Sequence, residues 1–216
     1  MYEKVKDQWN EIFKKREEIK LISKETGIKE FDYALDWLSG GVESVLDFGC
    51  GNGSLLYKIA ARGVKKIIGI DISEEGIRIA KRLKEVNSVD ISQFIVGGIE
   101  SLEKLEDNCV DAIVLSNIID NLSPNDCKKV LKESKRILKI NGKVLVKLNP
   151  FITEEQIKEW DIKVIEDNFL DDGLFLWNQT YEEWVQTFEE YFNITDNYEI
   201  HYKEYNQTNR IYLLRG

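Results

Sequence analysis

Residues 45–53 read VLDFGCGNG, an apolar run that breaks into alternating glycines from Gly49 to Gly53. A buried strand that ends in such a loop and then enters a helix forms a nucleotide cradle, because glycines let the backbone turn tightly and approach a ligand. A second apolar run, KKIIGIDIS at 65–73, ends on Asp71. A carboxylate at the end of the second strand, about 20 residues past the loop, is placed to accept the hydroxyls of a ribose. The two stretches together predict a nucleotide site.

Apolar runs of strand length alternate with stretches of helical periodicity through the middle of the chain. Continuous apolar strands between helices are typical of a parallel sheet covered on both faces, and right-handed crossovers then give a doubly wound, three-layer α/β fold. The predicted strands are 43–48, 66–71, 92–96, 110–116 and 143–148, and the helices between them are 53–62, 74–86 with Ser73 as cap, 100–106 and 124–139.

The pattern changes on both sides of this alternation. Amphipathic stretches predict helices at 2–22, 31–38, 153–160 and 180–192, an irregular or hairpin segment at 161–178, and strands at 194–204 and 209–214. The link between the last two strands is too short for a crossover, so they pair antiparallel. We therefore expect a seven-stranded, mostly parallel sheet with an antiparallel C-terminal hairpin. The chain (1–216) is interpreted as a single domain with an N-terminal helical cap (1–40), a core (41–150) and substrate-side elements with the hairpin (151–216).

Composition excludes several classes of protein. A net charge of −9 argues against a large nucleic-acid footprint, which needs clustered Lys and Arg. No run approaches the ~18 apolar residues of a membrane span. Cys50, Cys109 and Cys127 lie far apart without a Cys-x-x-Cys pair, which favours neither a disulfide framework nor a thiolate metal site. We expect a cytoplasmic protein without a metal, either a monomer or a homodimer.

Four stretches in order carry a family resemblance: LDFGCGNG (46–53), GIDIS (69–73), FIVGGIESL (94–102) with DAIVLSNII (111–119), and RILKINGKVLV (136–146). The chain resembles a class I methyltransferase that uses S-adenosylmethionine, a Rossmann-like family whose sheet typically ends with a reversed strand. The resemblance covers residues 40–150 well and the remainder in outline. It implies S-adenosylmethionine as the cofactor and S-adenosylhomocysteine as the product.

Residue roles follow from this resemblance. Asp47 would face the ammonium of the methionine moiety, directly or through water, and Asp71 would hold the ribose. The other implied cofactor contacts are Gly49, Cys50, Gly51 and Gly53 in the loop, Ile72, Gly98, Ile99 and Glu100 around the adenine, and Ser116 and Asn117 at the methionine end. Two positions depart from the family pattern: Gly98 stands where an acid often binds the adenine, and Asn141-Gly142 replaces a Pro-Gly-Gly turn.

Methyl transfer consists mostly of alignment, with proton removal where the acceptor is neutral, so no catalytic motif is fixed. Asp120 follows the fourth strand and is the candidate general base or anchor; a solvated residue near a helix cap is the alternative. Trp9 is the candidate lid residue over the cofactor, and helix packing is its alternative. His201, the single histidine, is interpreted as a surface or packed residue away from the cradle.

Aromatic residues after the core suggest a cover for the methyl acceptor. These are Phe151, Phe175, Trp177 and Trp184, and core packing explains them equally well. Cys50 is interpreted as a small filler of the cradle, because the sequence shows no base beside it.

The favoured function is methyl transfer to O, N or S of a small molecule, with nucleic acid an unlikely partner. A methyltransferase of protein or RNA is one alternative, and a catalytically silent cofactor-binding protein that acts through a partner is another. A dinucleotide-dependent dehydrogenase would need Gly-x-Gly-x-x-Gly, whereas Ser54 and Leu55 follow Gly53 here.

Overall fold

The computed structural model describes residues 2–15, 18–87, 89, 91–204 and 206–216. Helices and strands alternate in the order that the sequence predicts for the core. The helices are α1 (Glu3–Lys15), α2 (Lys29–Ser39), α3 (Ser54–Ala60), α4 (Glu74–Asn87), α5 (Ile99–Glu103), α6 (Pro124–Ile137), α7 (Glu154–Glu159) and α8 (Tyr181–Glu189). The strands are β1 (Ser44–Phe48), β2 (Lys66–Asp71), β3 (Ile91–Val96), β4 (Val110–Ser116), β5 (Leu138–Leu148), β6 (Lys163–Glu166), β7 (Phe169–Asp171), β8 (Phe175–Trp177), β9 (Asn193–Tyr202) and β10 (Gln207–Arg215).

Seven strands form the main sheet, in the order β3-β2-β1-β4-β5-β10-β9. The first five run parallel, and β10 pairs antiparallel with both β5 and β9. The predicted doubly wound sheet with its antiparallel C-terminal hairpin is therefore confirmed. Because the order reverses direction between β1 and β4, the carboxyl ends of these two strands flank the crevice where open α/β sheets bind ligands.

Helices cover both faces of this sheet, since its strands are apolar on both sides. Leu46 and Ile113 face the layer formed by α5, α6 and α8, where Trp184 is fully buried. Val45 and Val114 face the opposite layer of α2, α3 and α4. All five residues of β1 are buried. The strand that leads into the glycine loop therefore lies at the centre of the molecule and holds the loop rigidly.

The first helix is shorter than predicted. α1 ends at Lys15, so the expected helix over 2–22 is wrong beyond that point, and residues 16 and 17 lie outside the described residues. Ile19 and Ile22 pack on the core without forming a helix. The Ile22 N–H donates to Asn87 Oδ1 at 2.8 Å. Contacts with α4 thus outweigh the helical periodicity of this stretch.

Two other boundaries differ from expectation. The segment 161–178 forms a small antiparallel sheet, β6-β7-β8, instead of an irregular stretch or a single hairpin. The strand predicted at 143–148 begins at Leu138, because the Asn141-Gly142 turn lies within β5 and shifts its register against β4. Within the described residues, no helix has the length and apolarity needed to cross a bilayer.

Arg62 holds the N-terminal segment and α2 against α3. Its side chain is 3% exposed and binds Asp32 and Asp36 of α2, each at 2.8 Å. The guanidinium also donates to the carbonyls of Lys24 and Lys58. One buried cation therefore serves four acceptors from three parts of the chain.

We predict that Arg62→Met lowers the free energy of unfolding by about 2–3 kcal/mol. This lies below the cost of breaking a fully buried pair, because Asp36 is exposed. Lys65→Met is the matched control, since Lys65 and Glu43 form an exposed ion pair, and no measurable change is expected there. Urea denaturation of both variants measures the difference, and equal effects would contradict the assignment.

Candidate functional site

A cavity of about 550 Å³ opens at the carboxyl ends of β1, β2 and β4. Its volume is typical of a site for one ligand of cofactor size. The glycine loop forms its floor, α1 its roof, and the segment after β4 together with β8 its far end. The residues of the floor and sides are Phe48, Gly49, Cys50, Gly51, Asn52, Ile70, Asp71, Ile72, Val96, Gly97, Gly98, Ile99, Glu100 and Ser116. Those of the roof and far end are Tyr2, Val5, Lys6, Trp9, Phe13, Asn117, Ile118, Asn121, Leu122, Asp126, Leu174 and Phe175.

The loop after β1 presents bare backbone to the cavity. Gly49 and Gly51 have φ of 81° and 54°, a region that side chains rarely adopt. A Cβ at Gly49 would lie 2.8 Å from Ile118 Cγ1. The amides of Gly49 and Cys50 both donate to the Ile70 carbonyl, at 2.8 and 3.1 Å. The loop is thus locked onto the end of β2.

Asp71 lies where β2 ends and lines the cavity, as predicted. Its Oδ2 accepts from the Gly51 N–H at 2.8 Å and its Oδ1 accepts from the Ser73 N–H at 2.7 Å. Burial raises the pKa of Asp71, while these two hydrogen bonds oppose the shift. Each oxygen keeps a further lone pair, so the carboxylate can still accept from a ligand.

Asp47 is 2% exposed and lies beneath the loop, behind the lining of the cavity. Among the described residues no group donates to its Oδ1. Burial, followed by the charge of Asp71, raises the pKa of Asp47 to about 8. A buried carboxyl that lacks a partner is costly, so the site fits a ligand that brings a cation or a donor.

Residues after β3 form the side wall predicted for the adenine. Gly98, Ile99 and Glu100 all line the cavity. The Gly98 N–H donates to Glu100 Oε1 at 2.8 Å, which lowers the pKa of this exposed carboxylate. The side wall therefore has a carboxylate at Glu100, two residues after the glycine that replaces the family's acid.

The roof helix α1 has no fully buried residue, and it is held by Phe13, which packs on the core, and by polar contacts. Lys6 Nζ binds Glu74 at 2.7 Å. Asn10 Oδ1 accepts from Ser73 Oγ at 2.7 Å, and Ser73 Oγ in turn caps α4 by accepting from the Gly76 N–H. Trp9 stacks on Phe13, with 5.8 Å between ring centroids. Trp9 lies over the cavity as the lid prediction requires.

The far end of the cavity contains a connected set of amides. Asn117 and Asn121 line it, and both connect to Asn149. Asn121 Nδ2 donates to the Phe175 carbonyl at 2.6 Å, which ties this wall to β8. Tyr2 completes the wall: its hydroxyl donates to Asp126 Oδ2 at 2.8 Å and its ring meets Phe175 edge-on.

Asp120 lies behind this wall and not on it. It is fully buried, and its Oδ2 accepts from the backbone N–H and the Nδ2 of Asn149, at 2.6 and 3.0 Å. The solvated alternative is therefore wrong. The structure also does not bring this carboxylate to the cavity, which favours a positioning role over the role of general base.

The structure also locates the remaining residues that the sequence singles out. Gly53, which the sequence predicts as a cofactor contact, does not line the cavity: it is buried below the loop, where a Cβ would meet Phe94 at 2.9 Å. Cys50 lines the cavity, and burial raises the pKa of its thiol, as suits a filler. His201 is exposed on β9 and contacts Thr208, away from the cavity, as expected. The aromatic residues divide: Phe175 lines the cavity, Trp177 and Trp184 belong to the core, and Phe151 is exposed.

Sequence reasoning missed Tyr2, Asp126 and Leu174 as cavity residues. Tyr2 and Asp126 are 124 positions apart, and no local pattern connects them. Leu174 follows the Asp-Asp-Gly turn at 171–173, and that turn was the available signal that a loop projects here.

The amino-acid sequence is similar to those of known methyltransferases. Residues 41–192 match the family model described as "Methyltransferase domain", which covers more than half of the chain. The chain belongs to the class I, S-adenosylmethionine-dependent methyltransferases. A curated member similar to it is the tRNA N(3)-methylcytidine methyltransferase trm140 of Schizosaccharomyces pombe, 26% identical over 198 residues. That match covers 88% of this chain and 64% of the relative, so the chain spans less than two thirds of its length.

Solved structures of other methyltransferases share the fold. One is a methyltransferase from Methanosarcina mazei, with a TM-score of 0.66, 21% identity, and coverage of 80% of this chain and 91% of that one. Another is the N-methyltransferase NodS from Bradyrhizobium japonicum WM9 in complex with S-adenosyl-L-homocysteine, with a TM-score of 0.63, 16% identity, and coverage of 85% and 83%. At these identities the likeness shows the fold alone.

We predict that Gly51→Ala lowers the free energy of unfolding by about 1–3 kcal/mol, because a side chain is strained at a φ of 54°. The new Cβ would also lie 2.9 Å from Phe13 Cζ and push α1 outward, so tryptic cleavage near Lys14 and Lys15 should accelerate. Gly63→Ala is the control, since its φ is 102° but the space around it is open. If both variants are cleaved equally fast, Phe13 does not hold the roof.

Proposed function

We propose that the cavity binds S-adenosylmethionine and that the chain transfers its methyl group to an acceptor at the Tyr2–Phe175 end. The observation that carries this proposal is the buried Asp47 Oδ1, which has no partner among the described residues and lies beneath a loop of bare backbone. An amino acid ammonium in the cavity is a cation that would reach this carboxyl through a bridging water, because Asp47 does not line the cavity.

Each part of the site contributes one task. Asp47 and the Gly49–Gly51 backbone would hold the methionine end, and Asp71 would accept from the ribose. Ile72, Ile99 and Glu100 would surround the adenine, while Trp9 and Phe13 exclude water from above. When bound, the cofactor supplies a methyl group on a positively charged sulfur. The chain's own contribution is to align the acceptor in line with that bond.

The acceptor is proposed to be a small molecule. The cavity of about 550 Å³ must hold the cofactor and the acceptor together, which favours a small acceptor. The net charge of −9 also gives nucleic acid little attraction. RNA is the second candidate, favoured by the tRNA methyltransferase that matches 88% of the chain.

We predict that S-adenosylhomocysteine raises the melting temperature and NAD does not, because only a ligand that binds the folded state stabilises it. Asp71→Ala should abolish most of this shift, and Asp111→Ala, at the opposite end of the sheet beside Ser44, should keep it although it lowers the baseline. A shift with NAD alone would overturn the proposal.

Tritiated S-adenosylmethionine, incubated with a metabolite extract or with unfractionated tRNA, then tests methyl transfer and separates the two acceptor classes.

We also predict that binding releases a proton from Asp47. With a pKa of about 8 this carboxyl is mostly protonated at pH 7, and an ammonium beside it would lower that pKa, so the proton leaves. Titration calorimetry of S-adenosylhomocysteine in phosphate and in Tris should give enthalpies that differ by the buffers' ionisation enthalpies. The difference should disappear in Asp47→Asn. Identical enthalpies in wild type would place the ammonium elsewhere.

A further inference from the structure

The charged side chains that line the cavity are three carboxylates and one ammonium. Asp71 and Glu100 lie at the end proposed for the ribose and adenine, whereas Asp126 lies at the Tyr2–Phe175 end. The ammonium of Lys6 binds Glu74 of α4 at 2.7 Å, so its charge is already balanced. Within the described lining, Asp126 is therefore the charged group closest to the methyl acceptor.

Hydrogen bonds hold the Asp126 carboxylate in place. Its Oδ2 accepts from the Tyr2 hydroxyl at 2.8 Å and from Ser123 Oγ at 2.9 Å. The Tyr2 hydroxyl also accepts from the Ser123 N–H at 3.0 Å. Burial would raise the pKa of Asp126, but these bonds and the neighbouring Lys129 outweigh it and hold the pKa below its usual value. The carboxylate is therefore ionised at neutral pH.

The other oxygen of Asp126 has an exposed partner. Lys129 Nζ lies 3.3 Å from Oδ1, and the Lys129 side chain is 63% exposed. Lys129 does not line the cavity, so it approaches the carboxylate from outside. An exposed ion pair of this kind is weak, and Oδ1 keeps a further lone pair. A ligand in the cavity can therefore bind the same oxygen.

The surroundings of Asp126 favour a positive ligand. The rings of Tyr2 and Phe175 line the cavity at 84° to each other, with 6.3 Å between their centroids, and aromatic rings attract cations. The polar side chains of Ser116, Asn117 and Asn121 in the same lining are neutral. They can form hydrogen bonds with a ligand, but they cannot balance its charge. A cation is thus stabilised at this end, and an anion is repelled.

We propose that the methyl acceptor carries a protonated nitrogen that binds Asp126 beside the rings of Tyr2 and Phe175, and that the methyl group goes to a second, nucleophilic atom of the same molecule. The inference rests on the proposed function. The net charge of −9 agrees with it, because a negatively charged protein attracts cationic ligands over long distances.

The chemical step requires two different atoms of the acceptor. A protonated nitrogen has no lone pair, so the nitrogen that Asp126 holds is not the one that is methylated. The lone pair of the second atom forms a bond to the methyl carbon, and the electron pair of the carbon–sulfur bond stays on sulfur. A proton carried by the second atom is lost to water. Asp126 takes no proton and acts as a positioning residue.

Three variants on α6 test this role. Asp126→Asn removes the charge but keeps an oxygen that accepts from Tyr2. Lys129→Met removes the competing cation. Glu133→Gln is the matched control, since Glu133 forms a pair of the same i,i+3 spacing with Arg136, at 2.7 Å and outside the cavity lining. Melting curves verify that all three variants fold.

The assay separates acceptors by their charge. A metabolite extract is passed over a cation exchanger at pH 7. Tritiated S-adenosylmethionine is then supplied with the retained fraction, with the unretained fraction or with unfractionated tRNA. We expect transfer with the retained fraction, and mass spectrometry should find a product with a protonated nitrogen besides the methylated atom.

The kinetic constants of the active acceptor distinguish recognition from helix stability. Asp126→Asn should raise the KM for the acceptor by ~10–100-fold, because a bond to a charged group is lost. It should leave kcat and the affinity for S-adenosylhomocysteine within about twofold of wild type. Lys129→Met should lower this KM by about two- to fivefold. Glu133→Gln should match wild type. The alternative role of Asp126, favourable interaction with the dipole of α6, would change the melting temperature and leave KM unchanged.

Several results would contradict the inference and leave the methyltransferase function standing. These are transfer confined to the unretained fraction or to tRNA, a product without a second protonated nitrogen, and an unchanged KM in Asp126→Asn. Equal losses of acceptor and cofactor affinity would assign Asp126 to the cofactor instead. Binding of S-adenosylhomocysteine without transfer in any arm would contradict the proposed function, and the inference would fall with it.

Discussion

The site depends on the Asp71 carboxylate, which joins two elements that start from neighbouring strands. One oxygen holds the Gly51 amide of the loop after β1, and the other holds the Ser73 amide at the start of α4. Because β1 and β2 are paired in parallel, their carboxyl ends are adjacent. The Asp71 carboxylate can therefore bond the loop that follows β1 and the helix that follows β2 at the same time. The Gly49 and Cys50 amides, both on the Ile70 carbonyl, complete the lock. The floor of the cavity is therefore rigid before a ligand arrives, which spares the cost of ordering it on binding.

Much of this floor could be predicted from the sequence, because its determinants are local. Apolar runs of four to seven residues indicate buried strands, and the glycines that interrupt them indicate the loop. Asp71 and Ser73 follow their strand directly. The N-terminal segment could not be predicted equally well. Ile19 and Ile22 keep a helical spacing but pack on the core in another conformation, and the contact of Tyr2 with Asp126 joins residues that share no local pattern. Only the tertiary fold determines these positions.

Asp120 shows the same limit within the site. Its place after β4 puts it at the ligand edge of the sheet, which the sequence indicates correctly. The direction of its side chain depends on Asn149 at the end of β5, and on Arg210, whose positive charge opposes the rise in the pKa of Asp120 that burial causes. Arg210 in turn donates to the carbonyls of Gln179 and Asn149. The position after β4 therefore indicates that Asp120 lies near the cavity. Contacts with Asn149 after β5 and Arg210 of β10 determine that its side chain supports the wall and does not enter the cavity.

The placement of β10 also bears on how the protein folds. β9 precedes β10 in the chain but lies outside it at the edge of the sheet, so β10 is the strand that joins this hairpin to β5. The contacts that hold Asn149, from Arg210 and through the adjacent bond of Asn209 to the Leu148 carbonyl, span 61 residues each. Contacts of such long range form slowly, whereas the loop and Asp71 are 20 residues apart. The floor of the cavity is thus built from pairings of short range, whereas the wall that carries Asn117 also depends on long-range contacts with β10.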